Sequence, residues 1–170
     1  NDVRSVVLAP KSLPMKESIQ EIFMQLVRNS SLLSKVILHV EAPADCHLTT
    51  DMYLFEIAWR NLLQNAINYR DESKITEIHV SFTAAETPQQ GWEILLSDNG
   101  LGISKEFQGK LFEVFAKDVS SKGVGLGLYT VRLALNRLGG SIRLLESYTG
   151  NTQFRLYLPE VISLESHQSV

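Results

Sequence analysis

Asn61-Leu-Leu-Gln-Asn65, followed by Asn68, sets three carboxamides at spacings of four and three. At about 100° per residue, a helix would display them as one stripe. Carboxamide oxygens are hard, neutral donors, so such a stripe can face a magnesium ion and the phosphates that the ion bridges. Further on, Asp98-Asn-Gly-Leu-Gly102 puts a carboxylate ahead of two glycines, directly after the apolar run Glu93-Ile-Leu-Leu-Ser97. At a strand end that carboxylate can accept a hydrogen bond from an exocyclic amine, while Gly100 and Gly102 let backbone approach a flat ring and adopt positive φ. Leu111-Phe-Glu-Val-Phe115 comes next, and then Gly123-Val-Gly-Leu-Gly-Leu128. Free N–H groups of a glycine loop opening a helix attract anions. No one of these patterns is specific. In this order they supply what ATP needs: amide oxygens for a metal, a carboxylate for a base edge, and glycine-rich backbone for phosphates.

The elements that must position these groups follow from periodicity. Ile19, Ile22, Phe23, Leu26 and Val27 fit one helix face, with Pro14 as an early helical residue and an end near Asn29-Ser30. A weak strand signal at 4–8 precedes that helix, and a buried strand at 36–40 follows it, closed by the turn Ala42-Pro43-Ala44-Asp45. Thr50 or Asp51 can cap the asparagine helix, which runs to about Tyr69. Leu62, Leu63, Ala66 and Ile67 face the core, and burying the amides unpaired would cost about 1 to 3 kcal/mol each. The stripe therefore calls either for a ligand or for loop backbone as its partner. Strands at 77–84 and 92–97 form a hairpin. Residues 103–122 are a polar excursion with few apolar anchors beyond their phenylalanines, and Leu128, Val131, Ala134, Leu135 and Leu138 resume a helix stopped by Gly139-Gly140. Strands at 141–145 and 153–158 close the fold, and Pro159 ends the last. The expected architecture is α+β: a two-layer sandwich in which one mixed, mainly antiparallel sheet is covered by about three helices.

At 170 residues and 44% hydrophobic, the chain suits one domain, expected over 1–159, with a polar tail at 160–170. A formal charge of −3 and a pI near 5.8 exclude a generally basic surface, so no nucleic acid partner is expected. Cys46 is the only cysteine, which excludes an intrachain disulfide and a cysteine metal cluster and suits a reducing compartment. No apolar run nears the roughly 20 residues needed to span a bilayer, and Asn1-Asp2-Val3-Arg4 does not open a signal peptide. The glycine loop follows no strand and lacks Gly-Lys-Ser/Thr, which excludes a Rossmann site and a standard P-loop.

On these four motifs the chain resembles the ATP-binding domain of sensor histidine kinases, within the superfamily that includes gyrase, MutL and Hsp-type chaperones, over roughly residues 19–159. The resemblance implies the Bergerat ATP-binding fold. It makes Asn65 the Mg²⁺ ligand and places Asn61 one turn before it as a second catalytic-site amide. Tyr69 lies near the adenine, Asp98 takes its amine, and Gly100, Gly102 and Ile103 shape its pocket. Residues 103–124 become a nucleotide lid that includes Phe112 and Phe115 of its aromatic box. Lys117, Ser121 and Lys122 are candidate phosphate contacts, as is the hinge Gly123, Val124, Gly125, Leu126, Gly127 and Leu128. Thr152, in Asn151-Thr-Gln-Phe154, matches a threonine that reaches the base through water. Asn68 departs from the pattern, since many histidine kinases have a phosphate-reaching lysine there; Arg70 or a lid lysine is the substitute. Asn151 replaces a glycine, a change that asparagine's access to the left-handed region tolerates.

The implied function is to bind Mg·ATP and pass its γ-phosphate to a histidine on a separate dimerisation domain of the same parent, with a response-regulator receiver domain downstream. The implied parent is a homodimer, and the chain is cytoplasmic, including as the cytosolic end of a membrane-bound sensor. None of His39, His47, His79 and His167 has the helical His-Glu-x-x-x-Pro setting of an acceptor. Alternatives are an anti-sigma-type serine kinase, a hydrolytic clamp, and a degenerate nucleotide-binding module. The clamp needs a glutamate where this chain has Asn61, a poor general base.

Overall fold

The computed structural model describes residues 10–86, 90–114 and 127–161. The weak strand signal at 4–8 lies outside them. In chain order the elements are β1 Pro10–Pro14, α1 Met15–Val27, a 3-10 turn Ser31–Ser34, β2 Val36–Glu41, β3 His47–Asp51 and α2 Met52–Asn68. They continue with β4 Thr76–Ala84, β5 Gly91–Asp98, a one-turn α3 Lys105–Gln108, α4 Gly127–Arg137, β6 Ser141–Tyr148 and β7 Asn151–Pro159.

Five strands form the main sheet in the order β2-β4-β5-β7-β6. The β2–β4 pair is parallel and the other three are antiparallel, as expected for a mixed, mainly antiparallel sheet. Alternation sets its faces: Ile78, Val80 and Phe82 of β4, Ile94 and Leu96 of β5, and Phe154, Leu156 and Leu158 of β7 all point inward and are buried. Helices α1, α2 and α4 supply the opposing layer. On α2 the buried set is Phe55, Ala58, Trp59, Leu62, Leu63, Ala66 and Ile67, spaced as one helix face. Trp59 is fully buried, and its ring centroid lies 6.1 Å from Phe55 and 6.4 Å from Phe82, which joins α2 to the sheet.

The expectation of a single sheet needs correction. β1 and β3 pair antiparallel, from Pro10↔Asp51 to Pro14↔His47, as a separate two-stranded sheet. Val161 adds an isolated bridge to Thr49, whose N–H also donates to the Glu160 carbonyl at 2.8 Å. Two residues assigned to the tail are thus tied to this small sheet. Pro14 ends β1 and precedes α1, and Asp51 ends β3 and caps α2, its carboxylate accepting the Leu54 N–H at 2.9 Å. Gly139 (φ 79) stops α4, and the Gly140 N–H returns to the Leu135 carbonyl at 2.8 Å, closing a Schellman cap.

Candidate functional site

β5 delivers Asp98 to the inner face of the sheet at the strand's end, where 9% of its surface is exposed. One carboxylate oxygen accepts the Gly100 N–H at 2.9 Å. Burial pushes the carboxyl up to about 6, against the lowering pull of that N–H. A buried carboxylate with one hydrogen-bond partner among the described residues and further lone pairs is suited to a ligand's N–H donor. Directly across the ladder stands Thr152 of β7, also buried. The two side chains share a face, at the roughly 5 Å Cβ separation of opposed residues.

The glycines explain how the turn after Asp98 is built. A Cβ at Gly100 would sit 2.5 Å from the Tyr69 carbonyl oxygen, and that carbonyl accepts the Leu101 N–H at 2.8 Å. Gly102 has φ 82, and a Cβ there would sit 2.6 Å from the Tyr148 backbone. Positive φ is therefore the reason for Gly102, whereas at Gly100 the reason is space against the end of α2. Tyr69 caps α2 and is itself buried, and Ile103 is 4% exposed. Tyr69, Asp98, Gly100, Gly102, Ile103 and Thr152 thus form one neighbourhood.

The asparagine stripe differs from expectation. Asn61, Asn65 and Asn68 are half-buried, at the rim of the core. Asn61 Nδ2 donates to the Ile57 carbonyl at 2.8 Å, and Asn68 Oδ1 accepts from Gln64 at 3.0 Å. Local partners satisfy two of the three amides, so the cost of unpaired burial does not arise for them. Among the described residues only Asn65 of the three keeps its amide without a side-chain hydrogen bond. Asn61 Oδ1 lies 3.6 Å from where a Gly127 Cβ would be, so the stripe faces the start of α4, where the glycine loop ends. Leu128 is buried beneath that start. Phe115, Lys117, Ser121, Lys122, Gly123, Val124, Gly125 and Leu126 lie outside the described residues.

The described part of the excursion is anchored more firmly than its polar sequence implied. Ile103 and Leu111 are buried, and Phe112 meets Phe154 edge-on at 6.3 Å. Asn151 also differs: it is the first residue of β7, and the left-handed backbone belongs to Gly150 (φ 90), whose N–H donates to the Gly100 carbonyl at 2.8 Å. Sequence reasoning missed Gly150, Ser147 and Gln108. Thr149-Gly150 between two strand patterns was a turn signal, but nothing local marked Ser147 or Gln108. His39 and His79, register partners on β2 and β4, stack at 4.3 Å, and His79 pairs with Ser97, on the sheet face opposite Asp98.

Among the described residues no group of three His, Cys, Asp or Glu could hold a metal. Asn61 is the amide that lies beside the start of α4, and Asn65, one turn further along α2, keeps its amide free as a hard oxygen donor, suited to an ion that keeps most of its water. Asp98, Thr152 and the close-packed glycine turn fit an aminopurine edge.

The sequence profile of the histidine kinase-, DNA gyrase B-, and HSP90-like ATPases matches residues 50–162. The sensor-like histidine kinase SenX3 of Mycolicibacterium smegmatis is 32% identical over 139 residues, covering 79% of this chain and 35% of that protein. The swarming motility regulation sensor protein RssA of Serratia marcescens is 30% identical over 118 residues, 68% of this chain and 24% of that protein. The chain thus spans about a third or less of these relatives. The solved structure of the mycobacterial sensor histidine kinase MprB shares the fold, with a TM-score of 0.73 at 22% identity over 90% of this chain and 100% of that one. The profile match covers α2, the Asp98 turn, α4 and the last hairpin, so the chain belongs to the histidine kinase-, DNA gyrase B-, and HSP90-like ATPase family, as an ATP-binding catalytic domain of the sensor histidine kinase kind.

Proposed function

We propose that this domain binds Mg·ATP and donates the γ-phosphate to a histidine on a separate phosphoacceptor and dimerisation domain of the same parent, a homodimer that passes the phosphoryl group to a response-regulator receiver domain. The single observation that carries the base half of this reading is the buried Asp98, open to a donor and opposed by Thr152. Asp98 accepts from the adenine amine. Guanine has an oxygen there and would meet a second acceptor, a mismatch that leaves buried polar groups unpaired.

Asn65 would hold the metal in this reading, and the ion would supply positive charge against the phosphates. Asn61 flanks it, Tyr69 and Ile103 wall the base, and Lys117, Lys122 and the 123–128 hinge meet the phosphates. Asn61 supports transfer over hydrolysis, because its amide is held by the Ile57 carbonyl and has no basicity with which to activate water. Among the described residues no helix is long and apolar enough to cross a membrane.

The test uses radiolabelled ATP, this chain, and the histidine hairpin of its parent supplied in trans. Acid-labile label on the hairpin, and none on this chain, is expected. Acid-stable label on the chain itself would make it a serine kinase instead, and fast ATP turnover lost in Asn61→Ala would make it a hydrolytic clamp.

A further inference from the structure

Ser147, near the end of β6, belongs to none of the motifs, yet three parts of the fold meet on it. Its Oγ accepts the Ile103 N–H at 2.8 Å and lies 2.7 Å from Thr152 Oγ1. Gln108 of α3 donates its Nε2–H to the Ile103 carbonyl at 2.8 Å and lies 3.4 Å from the Ser147 carbonyl. The hydroxyl therefore stands between the root of the 103–114 segment and the threonine opposite Asp98.

We propose that Ser147 is a positioning residue for base recognition, which orients the Thr152 hydroxyl toward the nucleotide and couples the seating of the base to Ile103 at the root of the lid. This rests on the ATP reading above. A hydroxyl has one proton to give and two lone pairs. Either order satisfies the Ser147–Thr152 pair in the free protein. An adenine whose amine is taken by Asp98 presents its neighbouring ring nitrogen, an acceptor, toward Thr152. Thr152 then gives its proton to that nitrogen, directly or through a water, and must receive one from Ser147. Ser147 can give it because Ile103 N–H already fills one of its lone pairs. The seated base thus fixes one proton order along Thr152, Ser147 and Ile103, and tightens the hydrogen bond that holds the start of the segment.

Calorimetry of Mg·ATP on the full chain, with amide exchange at Ile103, tests this. Ser147→Ala is expected to weaken ATP about fivefold, the worth of one net hydrogen bond, and to lose the slowing of Ile103 exchange that ATP produces in the wild type. Ser147→Thr, which keeps the hydroxyl, is expected to stay within about twofold. Ser147 acts through Thr152, so Ser147→Ala combined with Thr152→Val should bind no more weakly than Thr152→Val alone. Should Ser147→Ala fail to fold, Ser147→Cys carries the same expectation, since a thiol is a weak donor. A folded Ser147→Ala protein with wild-type affinity and wild-type Ile103 protection would overturn the inference alone, as would additive effects in the double variant. Wild-type protein that binds no ATP would overturn the ATP reading, and this inference with it.

Discussion

At the scale of single residues, Asp98 gives the sharpest tests. In the proposed site its hydrogen bond to the adenine amine would be charge-assisted, worth about 1.5 to 3 kcal/mol, so Asp98→Ala should weaken ATP at least about tenfold by calorimetry. Burial holds its carboxyl near 6, above the 3.8 of an exposed aspartate, which gives opposite signs for binding and stability. Adenine's amine needs the ionised carboxylate, so ATP affinity should drop as pH falls through about 6. In the free protein the folded state takes up this proton before the unfolded chain does, so the group's contribution to stability grows as pH falls from about 6 toward 3.8 and is lost as pH rises again. Comparing wild type with Asp98→Asn in urea unfolding at several pH values isolates that contribution. Asn65 should separate metal from base: Asn65→Ala is expected to abolish phosphoryl transfer while metal-free ADP binding survives within about threefold, because the proposed adenine contacts are with other residues.

At the scale of elements, the turn after β5 is held by its packing against the end of α2 and the β6–β7 hairpin. Gly102→Ala would place a Cβ 2.6 Å from Tyr148 backbone on a residue at φ 82. It should cost about 1 to 3 kcal/mol or more, and the shifted turn should weaken nucleotide binding as well. Gly109, at the end of α3, has φ −70 and nothing within 4 Å of a Cβ. Gly109→Ala should therefore be neutral or stabilising by up to about 1 kcal/mol. Urea unfolding of both variants checks the contrast, and equal losses would mean that glycine loss as such, rather than the packed turn, sets the effect.

At the scale of the whole molecule, one core joins α1, α2 and α4 to the main sheet, so ligand binding at its edge stabilises the domain by mass action. Free Mg·ATP at about one hundred times its Kd should stabilise the fold by about 2.7 kcal/mol, seen as a higher Tm, and Asp98→Ala at the same ATP concentration should lose most of that shift. The chain's local patterns sufficed for the α2 helix with its Asp51 cap, for the hairpin and for the sandwich class, because periodicity and capping depend on neighbours in sequence. They could not reveal that Pro10–Pro14 pairs with His47–Asp51, since two short strands without clean alternation name no partner. Nor could they show that Asn61 and Asn68 find local hydrogen bonds, or that Gly150 rather than Asn151 turns left-handed. The pairing of β5 with β7 sets Thr152 opposite Asp98, and the pairing of β6 with β7 brings Ser147 to both Thr152 and Ile103. A period of two fixes which face a strand residue occupies but not which residue of a distant strand lies beside it; that choice is made by register and packing in the folded chain.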